Sequence, residues 1–399
     1  MLLVFIIVVF FLLHIQFYVR NILFGTDKVD FFMFSISYIF DRDMSVTSLS
    51  FSTACILSFV LCYATTRRMG RSTPIFHSQM FGIGSYPLPL WPLITSGLLQ
   101  VLATLAVVIQ ADFDYQAIAE RFEEGAFILE LRVIFLILLS HLLLNVRPVE
   151  VFNSPHLRTV RIVVYLYITA LLLMQARSRV FEVAAILAFT HLMWDGDKVR
   201  QKYFAFLGLA LIAPNIIVLG RLGWPEDIAS LISGIFSFEY TVLFNNLLSV
   251  AIDEGAKEVT EPYTFMSSLS LVLPSPIRSF LGLDVVKSDY YIELAHAAHI
   301  RNGGFSLLAE LFTNFGWHAI WVFGGLGGLI GFVNTKALRV GRVSLRACIA
   351  PLLYTAFILA FRNDLGVFLK YVIQLILIAW VMHLMTKITM MPKHRTNMT

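Results

Sequence analysis

Apolar residues in this chain come in long runs rather than in alternation. Met1–Val19, Ser48–Ala64, Leu88–Ile109, Ala126–Asn145, Leu157–Gln175, Val180–Trp194, Tyr203–Gly220, Phe305–Val333, Leu345–Phe361 and Gly366–Lys387 carry few charges between them. At the helical rise of about 1.5 Å per residue, such runs match a hydrocarbon core of about 30 Å. A membrane barrel would instead alternate apolar and polar positions. The pattern therefore predicts an all-α, polytopic integral membrane bundle of about ten spans, residues 1–399 forming one domain. Met1–Val19 lacks a basic start and a small-residue cleavage site, so it is expected to be a retained first span rather than a signal peptide.

Between the runs, the connections are short with one large exception. Residues 221–304 form a loop too long to be structureless. Within it Ile228–Ala251 is largely apolar but broken by Glu239, Asn245 and Asn246, which suits helices in the interface, packed on the bundle, or a hidden pair of spans. Asp289–His299 has a helical pattern that Asn302-Gly303-Gly304 ends. Phe31–Phe40, too short to cross, is expected to be a re-entrant or interfacial helix beside the Asp41-Arg42-Asp43 corner. Ala111–Gly125 reads as a short acidic amphipathic helix.

Composition narrows the class and charge orients it. Hydrophobic residues make up 58% of the chain and charged residues 14%, against about 25% in a soluble domain. Water-soluble and disordered classes are excluded. With the N-terminus inside, the inner segments hold 16 Lys and Arg against three acids, and the outer segments hold 12 against 20. The positive-inside rule thus places both termini in the cytoplasm and the 221–304 loop outside. The inner cations need no partner beyond anionic headgroups, and nothing points to nucleic acid. Cys55, Cys62 and Cys348 lie inside apolar runs and suggest neither a disulfide framework nor a thiolate metal site.

Charges in or near spans are the candidates for chemistry, because a membrane interior tolerates them where protein or water receives them. On the outer side these are Arg177 and Arg179 in the turn QARSR, Glu182 one turn on, Arg278, Arg301, Glu310, Asn314, Arg362, Asp364 and Lys370. Guanidinium forks match phosphate oxygens, so the arginines imply an anionic headgroup site; a lone arginine here would simply snorkel to the interface. Glu293, His296 and His299 have metal-ligand spacing, but a histidine contacting a polar substrate or acting as base is the stronger reading, with a plain interfacial histidine as its rival. Asp41-Arg42-Asp43, Asp112-Phe113-Asp114 and Asp195-Gly196-Asp197 resemble cation-binding pairs only as tripeptides. Gly324, Gly325, Gly327, Gly328 and Gly331 suit close helix packing. No Walker motif or serine elbow occurs, so an activated substrate must supply the energy.

QARSRVFE, LPSPIRSFLGLD, RNGGFSLLAELFTNFGWHAI and FRNDLGVFLK, set in this layout, resemble the Wzy-type O-antigen or oligosaccharide repeat-unit polymerases. The resemblance implies a membrane-embedded C-type glycosyltransferase of the bacterial inner membrane, working on the periplasmic side without metal, nucleotide or other cofactor. Its donor would be a growing glycan on undecaprenyl diphosphate and its acceptor a lipid-linked repeat unit, with a flippase and a chain-length regulator as pathway partners. Arg177, Arg179, Arg278, Arg301 and Arg362 would stabilise the departing diphosphate, and Glu310 or His299 would take the hydroxyl proton. An O-antigen ligase, a polysaccharide-lipid transporter or flippase, and a structural scaffold are the competing expectations.

Overall fold

The computed structural model describes residues 41–69, 90–112, 132–146, 148–174, 177–194, 239–254, 280–282, 306–339, 345–360 and 371–378, with scattered positions in 11–37, at 117 and in 368–381. Its first ordered pair is a hairpin rather than the helix expected over Phe31–Phe40. Strands β1 (Lys28–Phe31) and β2 (Phe34–Ser37) pair antiparallel, Phe31 opposite Phe34 and Lys28 opposite Ser37. Val29, Phe31, Phe34 and Ile36 are β-favouring residues at a spacing of two within each strand, a period that a helix would scatter.

Elsewhere the described elements are helical. They are α1 (Arg42–Met69), α2 (Leu90–Gln110), α3 (Arg132–Asn145), α4 (Pro148–Asn153), α5 (Arg158–Leu173), α6 (Arg177–Trp194), α7 (Glu239–Asp253), α8 (Leu307–Phe315), α9 (Ala319–Arg339) and α10 (Leu345–Ala360). Among the described residues, four stretches are long and apolar enough to cross a bilayer: Arg42–Met69, Leu90–Gln110, Pro155–Leu173 and Leu307–Phe332. Arg132–Asn145 and Glu182–His191 are shorter apolar helices. The chain is thus a helical membrane protein by length and composition of its helices. The expected span Tyr203–Gly220 lies outside the described residues, as does the segment Asp289–His299.

Local chemistry sets the ends of these helices. α1 starts two turns before its apolar run because the Asp41 carboxylate accepts a hydrogen bond from the Met44 N–H at 2.9 Å, while Asp43 lies at the positive helix end. Arg67 and Arg68 complement its other end. α2 closes with Asp112 in the left-handed conformation, at φ 48°. Two of the paired-aspartate strings thus supply helix punctuation.

The run Phe305–Val333, expected to be one span, is long and apolar enough to cross over Leu307–Phe332, but its helix is broken at Gly316 into α8 and α9. Gly316 adopts φ 53° and ψ −137°, a conformation that essentially only glycine takes, and a 3₁₀ turn over Gly316–His318 leads into α9.

Packing divides the helices into two groups. α2, α3, α5 and α6 pack together on one side, α1, α7, α8 and α9 on the other, and α10 touches α3, α6 and α9. α1 and α9 run parallel: Phe51 meets Trp317, Phe59 meets Phe323, and Gly331 lies on the Tyr63 backbone. The ring of Phe357 on α10 stacks on Phe59 at 4.7 Å and meets Phe323 edge-on, so one aromatic cluster joins α10 to both. Apolar side chains at opposite helix faces remain exposed, including Leu57, Leu61, Leu102, Ile109, Tyr165, Leu166 and Trp321, as lipid contact requires. α7, inside the expected outer loop, buries Leu247, Leu248 and Ala251 against this group, touching α8 and α1.

Candidate functional site

Charge is buried where α3 and α6 begin. Arg132, the first residue of α3, is 7% exposed, and Glu182, in the second turn of α6, is 4% exposed. Arg132 donates from Nε to Glu182 Oε2 at 3.2 Å and from Nη2 to Oε1 at 3.4 Å, a two-point pairing of fork and carboxylate. From one turn earlier on α6, Arg179 Nη1 approaches the same Oε1 to 3.8 Å. A single carboxylate therefore gathers one guanidinium from its own helix and one from 50 residues earlier in sequence.

Aromatic rings close around this group. The Arg132 guanidinium carbon lies 5.7 Å from the centre of the Tyr371 ring, within cation–π range. Tyr167 of α5 is buried, and its ring meets that of Phe135 of α3, three residues from Arg132, at 5.1 Å. In surroundings this apolar, each charge interacts more strongly than it would in water, and each would be costly to hold alone.

A second buried polar locus lies in the other helix group. Glu310, one turn into α8, is fully buried, as are Ser306 at the start of that helix and Thr313 and Asn314 a turn further on. The Asn314 amide donates to the Glu310 carbonyl at 2.7 Å. α8 is held by α7 and by the edge-on contact of Phe312 with Phe51 of α1, at 5.0 Å. α1 and α7 are themselves joined by a buried hydrogen bond between Ser48 Oγ and Ser249 Oγ, at 3.0 Å. The break at Gly316 ends α8 just beyond these groups.

Comparison with protein-family models, curated proteins and solved structures returns no match.

Of the residues expected to act, Arg179 is brought into the cluster with Glu182, and Arg177 opens the same helix α6. Glu310 belongs to a different helix pair. Arg278, Arg301, Arg362 and His299 lie outside the described residues. Arg132 is the residue that the sequence reading left out of the site: it counted Glu130 and Arg132 only as a few mid-span charges, whereas a charge inside an apolar run is itself the signal of an enclosed partner. Among the described residues, no group of three His, Cys, Asp or Glu side chains comes together as a metal-ligand set.

Proposed function

We propose that this chain is a membrane glycosyltransferase that polymerises undecaprenyl-diphosphate-linked oligosaccharide repeat units at the periplasmic face of the bacterial inner membrane. One observation carries the reading: Arg132 and Arg179 converge on Glu182 inside a helical membrane bundle. Enclosed guanidiniums are suited to a diphosphate whose negative charge grows as it departs. Arg177, Arg278, Arg301 and Arg362 join them in the proposal on the sequence resemblance.

In the proposed step, the acceptor hydroxyl oxygen bonds to the anomeric carbon of the donor sugar. The bond from that carbon to the diphosphate oxygen breaks, and the electron pair leaves with undecaprenyl diphosphate. The hydroxyl proton passes to Glu310 or His299. Attack opposite the leaving group inverts the anomeric centre. Neither a nucleotide nor a metal enters the balance, because the lipid diphosphate is the activated donor.

The parallel course of α1 and α9 fits the span count of the sequence scheme. If both span, an odd number of crossings must separate them, and the sequence scheme supplies five, from Leu88–Ile109 to Tyr203–Gly220. Purified protein incubated with a synthetic lipid-diphosphate repeat unit, without nucleotide, is expected to give a product ladder. An absence of product longer than the single unit would refute the polymerase. In cells, loss of long chains with one capped repeat retained separates a polymerase from a ligase, whose loss strips all O-antigen from the core.

A transporter is the second reading, favoured by the helix break at Gly316 beside buried Glu310, since interrupted helices mark many transport sites. It predicts movement of lipid-linked glycan across a reconstituted bilayer with no change in glycan length.

A further inference from the structure

The Arg132–Glu182–Arg179 group has an internal asymmetry. Glu182 is the shared member: both of its oxygens are engaged by Arg132, and one of them also faces Arg179. Its own helix carries Arg179, whereas Arg132 comes from α3, so the carboxylate is what fixes the two guanidiniums relative to each other. Burial on all three side chains, none more than 14% exposed, removes the water that would let them drift apart. A guanidinium has more N–H donors than a carboxylate has lone-pair sites, and two guanidiniums have far more. Glu182 can thus orient both forks without itself saturating either.

Two forks fixed side by side match two phosphoryl groups joined through one oxygen better than they match a single phosphoryl group. We propose that Glu182 is a positioning residue that holds Arg132 and Arg179 as one clamp, and that this clamp makes the site select lipid diphosphate over lipid monophosphate. The inference rests on the functional reading above and adds Arg132 and Glu182 to it, together with a specificity. Glu182 itself need not touch the substrate. Its negative charge opposes an anion, so its contribution is orientation rather than attraction. That separates it from the arginines, whose loss weakens binding of either lipid.

The test is binding of undecaprenyl diphosphate and undecaprenyl monophosphate to the purified full chain in nanodiscs. The variants are Glu182→Gln, Glu182→Asp and Arg132→Lys. The wild type is expected to prefer the diphosphate by about tenfold or more. Glu182→Asp keeps the charge and the ion pairs but draws the forks out of register, so it should lose most of this preference with its melting temperature nearly unchanged. Arg132→Lys keeps the charge without the fork and should do the same. Glu182→Gln should lose the preference entirely. If it fails to fold, the Asp and Lys variants still decide. Full wild-type preference in folded Glu182→Asp and Arg132→Lys would overturn the positioning role. No preference in the wild type would overturn the diphosphate site as well. Preference that depends on Glu182, in a protein that yields no ladder, would retain the clamp and remove the polymerase.

Discussion

Gly327 of α9 lies directly against the backbone carbonyl of Phe59 on α1, in a contact that leaves no room for a β-carbon. Backbone cannot rotate aside as the tip of a side chain can. Gly327→Ala is therefore expected to push the parallel pair apart and to cost about 1–3 kcal/mol. Two residues earlier, Gly325 faces open space, and Gly325→Ala should be neutral or stabilising by up to about 1 kcal/mol through helix propensity. Thermal unfolding of both variants in one detergent checks the pair. Equal melting temperatures would mean that the α1–α9 contact is not as close as described.

The glycine stripe was legible in sequence because close approach has few other solutions, and so were the apolar cores of most helices. Two features were less so. Phe31–Phe40 was read as helix because a short run of Phe, Ile and Tyr has no decisive period, and pairing across the hairpin sets the form of its described part. The break at Gly316 is one dihedral choice inside a run that is long and, on average, apolar enough for a single span, so mean hydropathy did not mark it. Of the site, Arg179 and Glu182 were visible as charges near a span end. Their tie to Arg132 was not, since it bridges 50 residues and rests on how α3 packs on α6.

That break yields a prediction of its own. At φ 53° and ψ −137°, any side chain on residue 316 is strained by about 1–3 kcal/mol. Gly316→Ala should lower the melting temperature, or relieve the strain by joining α8 to α9 in one helix and so displacing Glu310. In a polymerase-null strain it is expected to shorten the polysaccharide ladder at normal membrane levels. A full-length ladder with unaltered melting would show that the turn is incidental.

Glu310 offers a sharper contrast. Glu310→Gln preserves the shape and polarity of a fully buried side chain, exchanging one acceptor oxygen for a donor amide, while removing its ability to take a proton. If Glu310 is the base, chain extension should fall by about 100-fold or more with little change in stability. Rates near wild type in the Gln variant would move the role to His299.

Ser48 and Ser249 share a buried hydrogen bond between α1 and α7, the helix that the sequence placed in the outer loop. Changing either serine to alanine leaves the other hydroxyl without this partner, at about 1 kcal/mol in a membrane bundle. The double variant should cost less than the two single changes combined, because nothing polar is then left behind. Strict additivity in a double-mutant cycle would place α7 elsewhere than against α1.

The ion cluster gives the last prediction, in which stability and activity part company. Removing Arg132 alone, as Arg132→Leu, takes the two-point partner from the buried Glu182 carboxylate and should destabilise by about 3–5 kcal/mol. Removing all three charges, as Arg132→Leu with Arg179→Leu and Glu182→Leu, replaces the whole ion cluster by packing and leaves no buried guanidinium without its carboxylate. It should recover most of that loss, since exchanging a buried ion cluster for apolar residues is often neutral. A scaffold needs only the packing, so the triple variant would still support long chains. An enzyme that grips a diphosphate needs the guanidiniums, so the triple variant would insert and melt normally yet give no ladder. Measuring melting temperature and ladder length on the wild type, the single and the triple variant decides between them. Long chains from the well-folded triple variant would leave the buried charges a structural role alone.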